Sequence, residues 1–159
     1  MITQVHDQIL IGEDTDCPPG LNIAGTKATL HCCKFPCWSC IVGAKQLPKE
    51  HPQYLMCIYP FDLFLNIIDP PVPLFKHETF VAAREFARRH LMRGNKLFIH
   101  CNRGESRAPS IAMLIMAKDL DVIGNESYDV AKEEFERIYP AFKPGKGIET
   151  FMRENWSIL

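Results

Sequence analysis

Cys101 and Arg107 stand at the two ends of a short polar segment, with five residues between them. The apolar run at residues 97–99 before this segment predicts a strand, and the run at 111–117 after it predicts a helix. Backbone N–H groups of such a turn converge on one point, and the helix dipole favours negative charge there. The segment is therefore predicted to bind a phosphate-like anion, with the Arg107 guanidinium donating to two oxygens. The same field favours a thiolate, which makes Cys101 a candidate nucleophile.

The segment resembles the His-Cys-x5-Arg motif of cysteine-dependent protein phosphatases, and most closely that of the small, atypical dual-specificity branch. The resemblance implies an α/β fold in one domain over residues 1–159. Its central sheet would be mainly parallel, with four or five strands, helices on its flanks and the 97–99 strand at its centre. It also implies that the loop residues bind the substrate phosphate, namely His100, Asn102, Arg103, Gly104, Glu105 and Ser106.

The chemistry of a phosphate ester also needs an acid, because the leaving oxygen must be protonated. Asp69 ends an apolar run, and three prolines within the next four residues predict a rigid loop at the carboxyl edge of the sheet, where open α/β sheets bind ligands. The resembling family has its acid at a similar distance before the cysteine, and Asp69 precedes Cys101 by 32 residues. Asp62 is the alternative acid, and a simple strand-end carboxylate is the alternative role for Asp69.

The remaining pattern predicts the elements that position these groups. Apolar runs and turn residues indicate strands at residues 5–12, 27–33, 54–59 and 63–68, a loop at 14–20, and helices at 77–93, 108–119, 127–139 and 148–156. Ser127 or Asn125 can cap the third helix.

Four of the seven cysteines lie between Cys32 and Cys40. Cys37 and Cys40, with His31 and either Cys32 or Cys33, have ligand types that suit zinc, but no second paired ligand set follows. A second interpretation is redox protection of the nucleophile by Cys32, Cys33 or Cys57. The third is that these cysteines are small buried apolar residues around Trp38.

Composition restricts the partners and the location. A formal net charge of −1 gives no general basic surface, so a nucleic-acid partner is not expected. The longest apolar runs are too short to span a bilayer, and the first residues lack a signal-peptide pattern. We therefore expect a cytoplasmic protein that does not bind membranes and whose cysteines are reduced.

These observations predict a metal-independent protein phosphatase without a cofactor. Its partner would be a phosphorylated protein or peptide, with phosphotyrosine and also phosphoserine or phosphothreonine hydrolysed through a phosphocysteine. Two alternatives stay open: a phosphatase of RNA 5′ ends or phosphoinositides, and a phosphate-binding module of low turnover.

The low-turnover alternative is motivated by Ala108, because the resembling family usually carries a serine or threonine hydroxyl there to help expel the thiolate. Ser110 is the nearby hydroxyl that could replace it. A second departure lies at residues 143–147, where the family often has an asparagine that supports the loop.

Overall fold

The computed structural model describes residues 1–17 and 26–159, with the backbone alone described for Thr26 and Lys27. Within these ranges one sheet contains six strands: β1 (Thr3–His6), β2 (Ile9–Glu13), β3 (Thr26–His31), β4 (Met56–Ile58), β5 (Asp62–Leu65) and β6 (Lys96–Cys101). The described α-helices are α1 (Ser39–Val42), α2 (His77–Leu91), α3 (Arg107–Lys118), α4 (Tyr128–Ile138) and α5 (Lys146–Asn155). Two short helical turns, Asp14–Asp16 and Lys34–Trp38, follow β2 and β3.

The strand order is β1-β2-β6-β3-β5-β4. The four inner strands pair in parallel, whereas β1 and β4 pair antiparallel at the two edges. Strand β6 lies between β2 and β3, which confirms the prediction that the strand at residues 97–99 is central. The predicted mainly parallel sheet of four or five strands is corrected to a mixed, six-stranded sheet. The extra strand was missed because the residues predicted as one strand at 5–12 belong to a hairpin of β1 and β2 that spans residues 3–13.

The predicted helices at residues 77–93, 108–119, 127–139 and 148–156 are confirmed, with ends that differ by a few residues. Ser127 caps α4, since its Oγ accepts a hydrogen bond from the Val130 N–H at 3.2 Å. The predicted loop at 14–20 begins with a helical turn and then extends outside the described residues.

The two faces of the sheet are covered differently. Side chains at alternate strand positions, such as Leu30, Leu63 and Ile99, join the main core with α2 to α5. The opposite face carries a smaller cluster in which Trp38 packs with Phe64 and three cysteines. Strand β6 is buried on both faces, as expected for a strand between parallel neighbours.

The inner strands end together at one edge of the sheet. In the parallel registers Glu13 of β2 lies beside Cys101 of β6, and His31 of β3 lies beside His100. The amino end of α3 meets this edge after a loop of five residues. The fold therefore brings the nucleophile candidate, a helix N-terminus and the ends of three strands to one place.

Candidate active site

The loop between β6 and α3 is held in a tight, buried turn. Cys101 is 2% exposed and Arg107 8% exposed. Gly104 has φ +68°, and a Cβ there would lie 3.0 Å from the Gly12 carbonyl oxygen. Both its backbone conformation and its packing against the end of β2 therefore require glycine. The loop reverses direction at Gly104 and returns to the first turn of α3.

Residues 139–145 support the loop from outside. The Tyr139 hydroxyl donates to the Gly104 carbonyl at 2.9 Å, and the Lys143 N–H donates to the Glu105 carbonyl at 2.8 Å. The Gly145 N–H donates to Ser106 Oγ, also at 2.8 Å. Backbone and tyrosine donors thus provide the support that an asparagine side chain gives in the resembling family.

The Arg107 guanidinium is fixed at two of its three nitrogens. Its Nη1 donates to the Ile67 carbonyl at 3.1 Å, and its Nη2 donates to Asn102 Oδ1 at 2.7 Å. Its Nε is buried and has no hydrogen-bond partner among the residues that the structure describes. A buried guanidinium N–H without an acceptor is costly, and an anion at the loop would supply one.

Asn102 links this arginine to two other segments. Its Nδ2 donates to Asp14 Oδ2 at 2.8 Å and to the Phe35 carbonyl at 2.7 Å. The two charged loop residues pair with each other, since Arg103 and Glu105 form a salt bridge at 3.2 Å. Their opposite charges give this part of the loop rim no net charge.

Asp69 lies in the exposed, proline-rich segment after β5, next to the loop support. A Cβ built on Gly145 would come 2.2 Å from Asp69 Oδ1, so the carboxylate lies directly against the Gly145 backbone. Gly145 also donates to Ser106 in the loop. One residue therefore contacts both the acid candidate and the loop between β6 and α3.

Asp62, the alternative acid, is placed differently. It begins β5, and its Oδ1 lies 2.9 Å from His31 Nε2. His31 belongs to the sheet face opposite the helices that cover the main core. This contact occupies Asp62, whereas Asp69 is exposed beside the loop support.

His100 was predicted to bind substrate, but its side chain is fully buried and lies in another group of residues. Because it alternates with Cys101 along β6, its imidazole lies on the opposite face of the sheet. There His100 Nε2 is 2.8 Å from His31 Nδ1 and 3.9 Å from Cys37 Sγ. The structure thus places this imidazole outside the loop between β6 and α3, on the face of the sheet opposite the Cys101 side chain.

Cys17 is the fourth member of the group that contains His31, Cys37 and His100. This group was not predicted from the sequence. The Cys17 Sγ lies 3.4 Å from His31 Nδ1 and 3.9 Å from Cys37 Sγ. Cys40, which the zinc interpretation had included, is exposed and lies outside the group. Only the two histidines could have been paired from the sequence, because His31 and His100 lie near the ends of two predicted strands. Cys17 and Cys37 come from irregular segments, where no periodic pattern indicates their position.

The electrostatics of this group differ from those around Cys32. Hydrogen bonding from Cys37 lowers the pKa of Cys17 to about 3, although burial opposes the shift. Burial would lower the pKa of His31, but hydrogen bonds with Asp62 and Cys17 raise it overall. Burial raises the pKa of the Cys32 thiol well above its usual range, and the nearby Cys101 adds to that effect. Cys32 is therefore a neutral thiol close to Cys101, and the redox interpretation stays a prediction.

The fold is that of dual-specificity phosphatases. Similar solved structures include the human tyrosine phosphatase-like serine/threonine/tyrosine-interacting protein, at 17% identity over 99% of this chain and 96% of that chain, with a TM-score of 0.69. Human DUSP28 matches at 12% identity over 98% and 93% of the two chains, with a TM-score of 0.67. PTPMT1 in complex with PI(5)P also matches at 12% identity, over 98% and 94%, with a TM-score of 0.67.

No protein-family model matches the sequence, and no curated protein matches it either. The likeness to solved structures therefore confirms the predicted resemblance at the level of the fold. In the described ranges, none of the helices has both the length and the apolar character needed to cross a membrane.

Proposed function

We propose that this chain is a cysteine-dependent phosphatase that hydrolyses phosphotyrosine, and also phosphoserine or phosphothreonine, in proteins or peptides. The observation that carries this proposal is the Arg107 guanidinium, which two hydrogen bonds fix while its buried Nε lacks an acceptor. It opens α3 immediately after a loop that starts at Cys101. A thiol, a fixed guanidinium and a helix N-terminus around one loop suit attack on a bound phosphate.

In the first step the Cys101 thiolate attacks phosphorus, and the bond between phosphorus and the ester oxygen breaks. Asp69 gives its proton to that oxygen, which leaves as an alcohol or phenol. Arg107 and the loop amides hold the other phosphate oxygens while charge shifts between them. The product of this step is a phosphocysteine at Cys101.

In the second step the Asp69 carboxylate takes a proton from water, and the resulting hydroxide attacks phosphorus. The bond between phosphorus and sulfur breaks, so Cys101 leaves as a thiolate and inorganic phosphate is released. No step in this sequence uses a metal ion or a cofactor. Ala108 offers no hydroxyl to the departing sulfur, and we expect this step to limit turnover.

Ser110 is the candidate for the missing hydroxyl. It lies in the first turn of α3, and its Oγ is fully buried without a hydrogen-bond partner in the described part of the chain. A buried hydroxyl without a partner is uncommon. Its position one turn from Arg107 suits a donor that acts near the loop.

The test of the nucleophile is Cys101→Ser, assayed with an aryl phosphate and with inorganic phosphate. Hydrolysis should disappear while phosphate still binds, because Arg107 and the loop amides remain. Hydrolysis that survives the substitution would contradict the mechanism. Phosphate binding measured by calorimetry separates this result from a failure to fold.

The substrate class rests on charge. The loop rim carries the Arg103–Glu105 pair and the chain has a formal net charge of −1, whereas phosphoinositides and RNA ends would favour a basic surface. The similarity to PTPMT1, solved with PI(5)P, keeps a phosphoinositide as the second candidate. A panel of phosphopeptides, inositol phosphates and 5′-triphosphate RNA tests this choice, and a preference for a non-protein substrate would contradict it.

A low-turnover phosphate-binding module is the other candidate, and Ala108 is the observation that favours it. The similarity to a human protein described as tyrosine phosphatase-like agrees with this possibility. A burst of one product per chain without later turnover would support the module.

A further inference from the structure

Four metal-ligand side chains meet behind the phosphate loop, on the face of the sheet that the proposed mechanism does not use. They are two thiols and two imidazoles, and their ligand atoms all lie within 4.8 Å of one another: Cys17, His31, Cys37 and His100. We propose that these residues form a Cys2His2 site for one structural zinc ion. This inference does not depend on the proposed phosphatase activity.

The sulfur-to-sulfur distance and two of the sulfur-to-nitrogen distances in the group are close to those of tetrahedral zinc. With bonds of about 2.3 Å to sulfur and 2.0–2.1 Å to nitrogen, a tetrahedron places two sulfurs about 3.8 Å apart and a sulfur and a nitrogen about 3.6 Å apart. The two Sγ atoms are 3.9 Å apart, and the two neighbouring sulfur-to-nitrogen distances are 3.4 and 3.9 Å. His31 Nδ1 and His100 Nε2 are 2.8 Å apart, so the distance between them would have to increase by about 0.5 Å when an ion binds.

The surroundings of His31 are those of a metal-bound histidine. Its Nδ1 faces the group, while its Nε2 lies 2.9 Å from Asp62 Oδ1. A carboxylate on the far nitrogen fixes the tautomer and the ring orientation of metal-ligating histidines. The ring also stacks on Phe64, with centroids 4.0 Å apart and planes 9° from parallel. His31 is thus held in one orientation before any ion binds.

The chemistry of the four donors favours zinc over other ions. Two thiolates and two neutral imidazoles arranged as a tetrahedron suit zinc and neutralise its charge. The group is not sealed, because Cys17, His31 and Cys37 line an open surface cavity of about 440 Å³. An ion therefore has a path from solvent into the site.

The four ligands come from separate segments, which defines what the ion would do. Cys17 follows β2, His31 ends β3, Cys37 lies in the turn after β3, and His100 lies in β6 directly before the nucleophile. One ion would therefore tie three neighbouring strands together beneath the phosphate loop. Such a dispersed set lacks the paired spacing by which zinc sites are found in sequences.

The test uses the full chain, purified without a polyhistidine tag from cells grown with zinc. Elemental analysis and native mass spectrometry should find one zinc ion per chain. Cys17→Ser and Cys37→Ser should lose it, whereas Cys40→Ser should retain it as a matched control, since Cys40 is an exposed cysteine three residues from Cys37. Cys101→Ser should also retain zinc, which excludes the nucleophile as the binding group.

A second measurement does not require any variant to fold. Cobalt replaces zinc in the wild-type chain, and its absorption spectrum should show tetrahedral d–d bands with thiolate-to-cobalt charge transfer. In a separate experiment, Asp62→Asn should weaken zinc binding about 10- to 100-fold, since it removes the partner of His31. A wild-type chain without zinc, an octahedral cobalt spectrum, or a Cys17–Cys37 disulfide in the metal-free chain would each overturn the proposal.

Discussion

Substituting Gly145 by alanine should impair the acid while leaving the nucleophile intact. The new Cβ would lie 2.2 Å from Asp69 Oδ1 and 2.9 Å from its Cγ, whereas ordinary contact begins at 3.4 Å. The carboxylate must therefore move by about 1 Å, a displacement that can cost about 10²-fold in rate when it affects a positioned catalytic group. This value lies within the range of about 10²–10⁴-fold for general acid–base catalysis.

The fold should tolerate this substitution. Gly145 has φ −62° and ψ 149°, which alanine adopts without strain. Asp69 is exposed and can rotate away. Replacing glycine by alanine at a compatible position also stabilises by about 0.4–1 kcal/mol through the unfolded chain. We expect the free energy of unfolding to change by no more than about 1 kcal/mol.

The assay compares phenyl phosphate, whose leaving group needs a proton, with 4-nitrophenyl phosphate, whose leaving group needs it far less. Gly145→Ala should lower kcat/KM about 10²-fold for phenyl phosphate and much less for 4-nitrophenyl phosphate. Asp69→Asn should show the same selectivity, and the double variant should lose little more than Asp69→Asn alone. Equal losses with both substrates, or no loss with phenyl phosphate, would refute the reasoning.

Three further substitutions test other parts of the site. Ala108→Ser should raise kcat by up to about 10²-fold and reduce the product burst in stopped-flow assays, because a hydroxyl then assists thiolate departure; an unchanged kcat would contradict a slow second step. Gly104→Ala should lower the free energy of unfolding by at least about 1–2 kcal/mol in urea titrations, since φ is +68° there; full stability would show that the turn can relax. Asp62→Asn should leave the ratio of kcat/KM between phenyl and 4-nitrophenyl phosphate unchanged. If it lowers kcat/KM for phenyl phosphate much more than for 4-nitrophenyl phosphate, Asp62 is the acid.

The central part of the fold was predictable because local sequence signals and tertiary packing agree around β6 and α3. Strand β6, helix α3 and the loop between them follow from two apolar runs around a glycine and an arginine. One edge of the sheet was predicted and the other was not. Strand β4 lies within the strand predicted at residues 54–59. Strands β1 and β2 are only four and five residues long and are separated by two residues, so they were predicted as one strand.

The site was predictable where residues are close in sequence and obscure where they meet through the fold. The contacts of Arg107 with Asn102 and with the Ile67 carbonyl differ in this way, since the first lies within the motif and the second spans 40 residues. His100 was predicted to bind substrate, whereas strand alternation places its side chain on the face opposite Cys101, and its partners there depend on the register of β3 against β6. Register is set by tertiary packing, which a single sequence does not display.

The measurement that tests the central proposal most directly is acid quenching during turnover of 4-nitrophenyl phosphate, followed by peptide mass spectrometry. A slow second step should let the intermediate accumulate, so the peptide that contains Cys101 should carry one phosphoryl group on sulfur. The same peptide from Cys101→Ser should carry none. Steady product formation by the wild-type chain with no phosphoryl group at Cys101, or with one on another residue, would contradict the proposed mechanism.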